Sequence, residues 1–232
     1  MTPLYIIPAR GGSKGIPRKN IKPLAGKPLI CYSIDTARAL GADDRHIVLS
    51  TDDDEIAAVA RRYGLPIDYR RPAALATDTA GSREVIIDAM DYADRSGIGY
   101  DCVVLLQPTS PLRDTEDVTR CIDLYARTRP DMAVTTVQAA DNPYYNCFET
   151  DPEGCLHVSK GEGLYTRRQD APPAWAMNGA VYVINPASIR KYSLGAMPRR
   201  VGCEMPRERS VDLDTPLDWV VAEAILTKKF DL

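Results

Sequence analysis

An α/β fold, a three-layer sandwich with helices on both faces of a largely parallel sheet, is predicted by three features of the sequence. Apolar runs suited to strands fall at residues 4–8, 46–51, 67–71, 102–107, 132–137 and 180–184, with stretches that read as helices between them. That alternation builds β-α-β units. The runs at 47–49 and 103–106 are apolar at every position, as strands covered on both faces must be. The first run also opens directly into a loop rich in glycine and cations, Ala9-Arg10-Gly11-Gly12-Ser13-Lys14-Gly15-Ile16-Pro17-Arg18-Lys19-Asn20, and open α/β sheets carry their sites at such strand ends.

Helices are expected at residues 28–40, 53–63, 82–95, 115–127, 186–192 and 216–228. Pro28 and Pro216 suit a first helical turn, where the missing N–H costs nothing; Thr215 before the latter, with Asp218 three residues on, makes a capping box. Tyr63-Gly64 ends a helix, with Pro66 just beyond, and Asp52, Asp53 and Asp54 read as an N-cap with first-turn acids. Residues 138–177 break the rhythm. They are rich in Asn, Pro and Tyr, and Asp151-Pro152-Glu153-Gly154 makes a turn between two short extended pieces. This is a β-rich lobe inserted into a single domain spanning residues 1–232. Its exposed strands suit either packing against a second subunit or a long hairpin folded over its own domain.

With 232 residues, 44% of them hydrophobic, the chain can bury a full core. No apolar run approaches the roughly 18 residues that span a bilayer, and the start of the chain lacks a signal-like order, so a soluble cytoplasmic protein with no membrane partner is expected. The six cysteines are scattered with no zinc-like spacing, which makes them ordinary reduced residues. His46 and His157 receive no role.

The charge is distributed unevenly. Arg10, Lys14, Arg18, Lys19, Lys22 and Lys27 all precede the first acid, Asp35, although the chain carries a net charge of −3. A local cationic pocket points to a small polyanion and argues against a nucleic-acid surface. Glycines let backbone N–H groups close on phosphate oxygens, and the cations add charge-assisted hydrogen bonds. The loop therefore reads as a seat for a nucleoside triphosphate. It is neither a P-loop, since Ile16 and Pro17 stand where the second glycine belongs, nor a dinucleotide fingerprint, since Gly11 and Gly12 are adjacent.

Other polar groups follow the later strands: Ser50 to Asp54, Arg71, Gln107 to Arg113, Asn178-Gly179 and Asp212-Leu213-Asp214. In an extended segment Asp212 and Asp214 would face one way, with Val211 and Leu213 facing the other. Paired hard oxygens suit Mg²⁺ held jointly with substrate phosphates; equally, two acids ahead of a helix favour its N-terminus. Arg167-Arg168 fits either an anion clamp or a solvated surface pair.

As an ordered set, IIPARGGSKGIPRKNI, STDDDEIA, RRPAALATDTAGS, LLQPTSPLR, RRQDAP, NGAVYV and VDLDTPLDW resemble the acylneuraminate cytidylyltransferases, the CMP-sialic acid synthetases, over nearly the whole chain. The resemblance implies a Rossmann-like nucleotidyltransferase sandwich with a small β-rich lobe used for homodimerisation. It implies a reaction joining CTP to a nine-carbon keto-sugar acid, with release of pyrophosphate and a requirement for Mg²⁺. It carries Arg10, Gly11, Gly12, Ser13, Lys14, Lys19 and Asn20 onto the CTP loop, and Arg71 and Ser82 onto positions near the cytidine. Gln107, Arg168 and Tyr182 match the sugar side, and Asp212 and Asp214 match the metal and catalytic aspartates. In-line attack by the anomeric hydroxyl on the α-phosphorus follows, with Lys14 and Arg10 offsetting charge on pyrophosphate, Arg168 answering the sugar carboxylate or the reacting phosphate, and Asp214 as base or metal ligand.

Some members place a lysine shortly after a His-Pro in the lobe, where this chain has Asn142-Pro143-Tyr144-Tyr145. N-acetylneuraminic, deaminated neuraminic, legionaminic and pseudaminic acids remain open as substrates; the loop at residues 13–17 looks more like the sialic branch than the pseudaminic one. A CMP-Kdo synthetase and a nucleotide-binding regulatory module without turnover are the alternatives.

Overall fold

The computed structural model describes residues 1–13, 15–77 and 79–228. Six strands form the main sheet: β1 (Pro3–Pro8), β4 (Ile47–Ser50), β5 (Cys102–Leu106), β6 (Met132–Gln138), β9 (Trp175–Ile184) and β10 (Arg200–Glu204). Their order is β10-β6-β9-β5-β1-β4. The pairs β1·β4, β1·β5 and β6·β10 are parallel and β9 alone runs antiparallel to both neighbours, which gives the largely parallel sheet expected. Two-residue strands β2 (Pro23–Leu24) and β3 (Lys27–Pro28) pair beside the first loop, and β7 (Phe148–Thr150) and β8 (Leu156–Val158) pair as a hairpin.

The helices α1 (Leu29–Ala39), α2 (Asp54–Arg62), α3 (Ser82–Arg95), α4 (Thr115–Thr128), α5 (Pro186–Lys191) and α6 (Pro216–Leu226) lie within two residues of the expected bounds. Asp53 caps α2, accepting from the Glu55 and Ile56 amides at 2.9 and 3.0 Å. Thr215 and Asp218 close the capping box of α6. Pro28 differs slightly: its backbone is extended, and it serves as the N-cap of α1.

Alternate residues of the central strands supply two cores. Tyr5, Ile7, Val104 and Leu106 face one layer with Ile34, Ile56 and Val118. Leu4, Ile6, Val103 and Leu105 face the other, with Ile86, Met90 and Ile189. This is the expected three-layer sandwich. A third cluster joins Ile16, Leu24, Leu29, Leu112, Leu213 and Trp219, packing the first loop, α1, α6 and the segment before α6 into one small core.

Two strand expectations are corrected. Residues 67–71 form no strand; they run beside the sheet edge with one backbone bond, Arg71 N to Thr51 O at 2.9 Å. Conversely, β10 was not foreseen. It is an edge strand ending in Arg200 and Glu204, with only Cys203 buried, so its sequence lacks the apolar signature of an inner strand.

Residues 138–177 leave the sheet from the end of β6 and return into β9, where Gln138 pairs with Trp175. Both ends of this excursion stand at the sheet edge that also carries the carboxyl ends of β1, β4 and β5. The β7–β8 hairpin turns at Gly154 (φ 86°). Among the described residues no helix is long and apolar enough to cross a membrane. The six cysteines are free thiols, four of them buried.

Candidate active site

A cavity of about 470 Å³ opens at the carboxyl ends of β1 and β5. From the first loop it is lined by Arg10, Gly12, Ser13, Gly15, Lys19 and Asn20, and from elsewhere by Arg71, Ser82, Gln107, Thr109 and Asp214. Segments separated by two hundred residues of chain thus meet at one site. Lys14, the cation at the centre of the loop motif, lies outside the described residues.

The loop is held from behind by hydrogen bonds. The Gly11 amide donates to Asp52 Oδ1 at 3.0 Å, and Asn20 Nδ2 donates to the Arg10 carbonyl at 3.0 Å. Gly11 therefore shapes the loop, and a Cβ there would stand 2.6 Å from Asp53 Oδ2. Arg10 reaches across to the Thr77 carbonyl at 3.2 Å. Not every cation of the acid-free stretch faces the cavity. Arg18 is bound to Asp53 at 2.6 Å and to Glu55, Lys22 stacks on Trp219, and Lys27 pairs with Asp35 at 2.7 Å. Among the described residues the cavity's cations are Arg10 and Lys19, with Arg71 beneath. Burial is the main influence on Arg71 and lowers its pKa; its guanidinium donates to Ser50 Oγ at 2.9 Å and to the Ser50 carbonyl at 2.8 Å.

The opposite wall is the segment before α6. Its middle residue, Leu213, is fully buried in the small core, and the Leu213 amide donates to the Thr109 carbonyl at 2.8 Å. The Asp214 amide bonds the Asp212 carbonyl at 3.1 Å, so these residues make a tight turn; the extended geometry expected from the sequence is corrected here. The turn still separates the two acids from Leu213. Asp214 is 75% exposed at its side chain and lines the cavity, with Lys19 Nζ 3.4 Å from its Oδ1; Lys19 also donates to the Leu213 carbonyl. Loop and turn approach so closely that a Cβ on Gly15 would lie 2.2 Å from the Asp214 carbonyl oxygen.

Asp212 lies deeper. Its Oδ1 is buried with no partner, beside the equally unpartnered Ser110 hydroxyl. Burial is the main cause that pushes its carboxyl pKa up, opposed by a Thr109 side-chain hydrogen bond and reinforced by the neighbouring Asp214 charge. Gly179, at φ 77°, brings β9 against this pair. A buried carboxylate oxygen without a donor is costly unless a cation meets it. The donor set, two aspartates beside a cationic loop, fits a divalent ion of the Mg²⁺ type.

Ser82 begins α3, whose N-terminus meets the cavity with no side-chain cap on its amides. Gln107 is held by Arg113, which is almost wholly buried and donates to the Gln107 and Ser110 carbonyls at 2.7 and 2.6 Å. Burial pulls the Arg113 pKa down to about 9. Tyr182 lies in β9 in register with Leu105, a cavity residue, and is half-buried. Arg168 stands apart: it opens a short exposed turn in the excursion and does not line the cavity of its own chain. Asp52, Thr109 and Arg113 belong to the polar runs that follow the strands, where Asp52 reads first as a capping acid and none of the three has an assigned role; Thr77 was not singled out. Thr77 and Thr109 act through backbone carbonyls and Arg113 lies behind the wall, where sequence carries little signal.

A doubly covered α/β sheet with a cationic backbone loop and facing carboxylates at its strand ends defines a nucleotidyltransferase fold and site. Residues 4–220 match the family model described as cytidylyltransferase, and the chain belongs to that family. It is 32% identical over 227 residues, 96% of this chain and 95% of the relative, to the CMP-N,N'-diacetyllegionaminic acid synthase of Legionella pneumophila. It is 33% identical over 222 residues to the N-acylneuraminate cytidylyltransferase of Streptococcus agalactiae, covering 95% of this chain and 52% of that longer protein. The solved structure of a CMP:2-keto-3-deoxy-manno-octonic acid synthetase complexed with CTP superposes with a TM-score of 0.69. At 16% identity, over 99% of this chain and all of the other, that likeness establishes the fold.

Proposed function

We propose that this cytidylyltransferase moves CMP from CTP to the anomeric hydroxyl of a nine-carbon keto-sugar acid of the N-acylneuraminate type, releasing pyrophosphate in the cytoplasm. One observation carries the reading: Arg10, Lys19, Asn20 and Arg71 share a single cavity with Gln107 and Asp214. The relatives' names divide between legionaminic and N-acylneuraminic acids at nearly equal identity, so legionaminic, pseudaminic or another acidic sugar is the second form of the proposal.

In this reading Arg10, Gly12, Ser13 and Lys19 hold the triphosphate, with Lys14 assigned to it from the sequence. Asn20, Arg71 and Ser82 hold the cytidine and Gln107 and Tyr182 serve the sugar acid; Arg168, outside the cavity of its own chain, is assigned to the sugar acid from the sequence. Asp212 and Asp214 would hold Mg²⁺, which when bound supplies charge neutralisation and orientation of the phosphates. The chain itself aligns the hydroxyl with the α-phosphorus. As the new O–P bond forms, the bond to pyrophosphate breaks, and Arg10 and Lys19 offset the charge on the leaving group. Asp214, the exposed acid, serves either as the base that takes the hydroxyl proton or as a metal ligand only.

We also propose a homodimer formed through the excursion, whose Phe148, Leu156, Leu164, Trp175 and Met177 are apolar and exposed. The test of function is pyrophosphate release from CTP against a panel of nine-carbon keto-sugar acids. Release that tracks one acid supports the reading. CTP binding with no release for any acid would make the protein a nucleotide-binding module instead.

A further inference from the structure

Asp212 and Asp214 sit on backbone that belongs to no helix or strand, between the short turn Arg207–Arg209 and α6. Such a segment keeps its place only through the bonds that tie it down. Leu213 fastens it to Thr109, and the Ser210 hydroxyl takes a bond from Asn178 Nδ2 at 2.9 Å. Lys19 holds the Leu213 carbonyl as well, and a further tie, nearer the start of the segment, is ionic. Arg209 Nε donates to Asp117 Oδ2 at 2.8 Å, and its Nη2 donates to Asp117 Oδ1 at 2.9 Å.

The acceptor is unusual for a carboxylate. The Asp117 side chain is 0% exposed and sits in the first turn of α4. It also accepts from Arg120 Nη2 at 2.8 Å and from the Asp114 amide at 3.2 Å, which completes the capping box. Burial by itself would raise its pKa, but the Arg209 bonds and the further donors hold it below the usual carboxylate range. With its lone pairs occupied and no contact with the cavity, Asp117 is a mount. A planar guanidinium in a two-bonded fork fixes direction as well as distance, which a lysine cannot do. Only two residues, Ser210 and Val211, separate Arg209 from Asp212, a reach of at most roughly 11 Å of chain.

We infer that the Arg209–Asp117 pair is a positioning device that sets where Asp212 and Asp214 stand against the basic loop, and through them the affinity of the site for a divalent cation. The inference rests on the metal-binding reading of those two aspartates.

The experiment measures Mn²⁺ binding in the presence of CTP by electron paramagnetic resonance, together with thermal melting and the Mg²⁺ activation curve of CMP transfer. Arg209→Lys keeps the charge and loses the fork. It is expected to weaken Mn²⁺ binding by about tenfold, the usual cost of losing a support behind a metal ligand. The Mg²⁺ needed for half-maximal activity should rise by a like factor, with the KM for the sugar acid little changed. Asp117→Asn should do the same, and the double variant should add little. Arg190→Ala removes ion pairs to Asp91 and Asp94, both at 2.8 Å, far from the turn; it should lower melting without moving Mn²⁺ affinity. Arg209→Lys and Asp117→Asn proteins that melt earlier yet bind Mn²⁺ as the wild type does would overturn the inference. Wild-type protein that binds no Mn²⁺ with CTP present would overturn the metal reading itself and the positioning device with it, a failure visible before any substitution is made.

Discussion

Asp212 pairs a structural cost with its proposed role. Its buried oxygen has no donor, and an unmet buried polar atom costs about 1–3 kcal/mol. Asp212→Asn leaves a polar atom there but removes the negative charge that burial and Asp214 disfavour. It is therefore expected to melt higher than the wild type in metal-free buffer, by about 2–4 °C per kcal/mol relieved, while losing CTP-dependent Mn²⁺ binding. Lower melting with intact metal binding would contradict this. Gly15 makes the complementary case: a Cβ 2.2 Å from the Asp214 carbonyl must drive loop and turn apart. Gly15→Ala should cut kcat/KM by about a hundredfold, as a misplacement near 1 Å does, with a fold unchanged by circular dichroism. Much of this site was legible in the sequence, because cationic loop residues and paired acids are chemically conspicuous. Asp52 was not, since an acid ahead of a helix reads as a cap whether or not it also holds Gly11. Nor could sequence show that Arg18, Lys22 and Lys27 are turned to other partners, because their bonds run to residues brought near only by folding.

Helices were more legible than strands, and the reason is local. Caps such as Asp53, Asp114 and Thr215 act within three residues of chain, so their chemistry is written next to the element they start. Thr215→Ala should cost about 1 kcal/mol through loss of the α6 box, read as a drop of a few degrees in melting. Strand identity depends on partners far away in sequence. Tyr69 is buried and Arg71 packs on Ser50, so residues 67–71 show strand-like alternation without forming a ladder. The reversed direction of β9 leaves no trace in its apolar pattern, because side chains alternate identically in either sense. At the first turn of α4 the pH dependence has a defined sign. Asp117 has a lowered pKa in the folded state, so its contribution is complete above the unfolded value of about 3.9 and fades as pH falls through the folded one. The stability gap between wild type and Asp117→Asn, followed by urea unfolding, should shrink as pH falls below about 4.

At the scale of the molecule, the sheet order brings the first loop and the last turn to one edge, and the small core around Ile16, Leu213 and Trp219 locks them together. The excursion rises from that same edge and leaves Phe148, Leu156, Leu164, Trp175 and Met177 exposed. If a second copy covers them, sedimentation equilibrium should give twice the chain mass, and Trp175→Glu with Met177→Glu should return it to one. The account's central claim is that loop and turn grip one activated nucleotide for transfer. The most direct test is single-turnover formation of CMP-sugar by wild type and Asp214→Asn in saturating Mg²⁺, with CTP and the acid the panel selects. Wild type should give one pyrophosphate per CMP-sugar, and the variant should be slower by orders of magnitude; a variant that keeps near wild-type turnover would contradict the account.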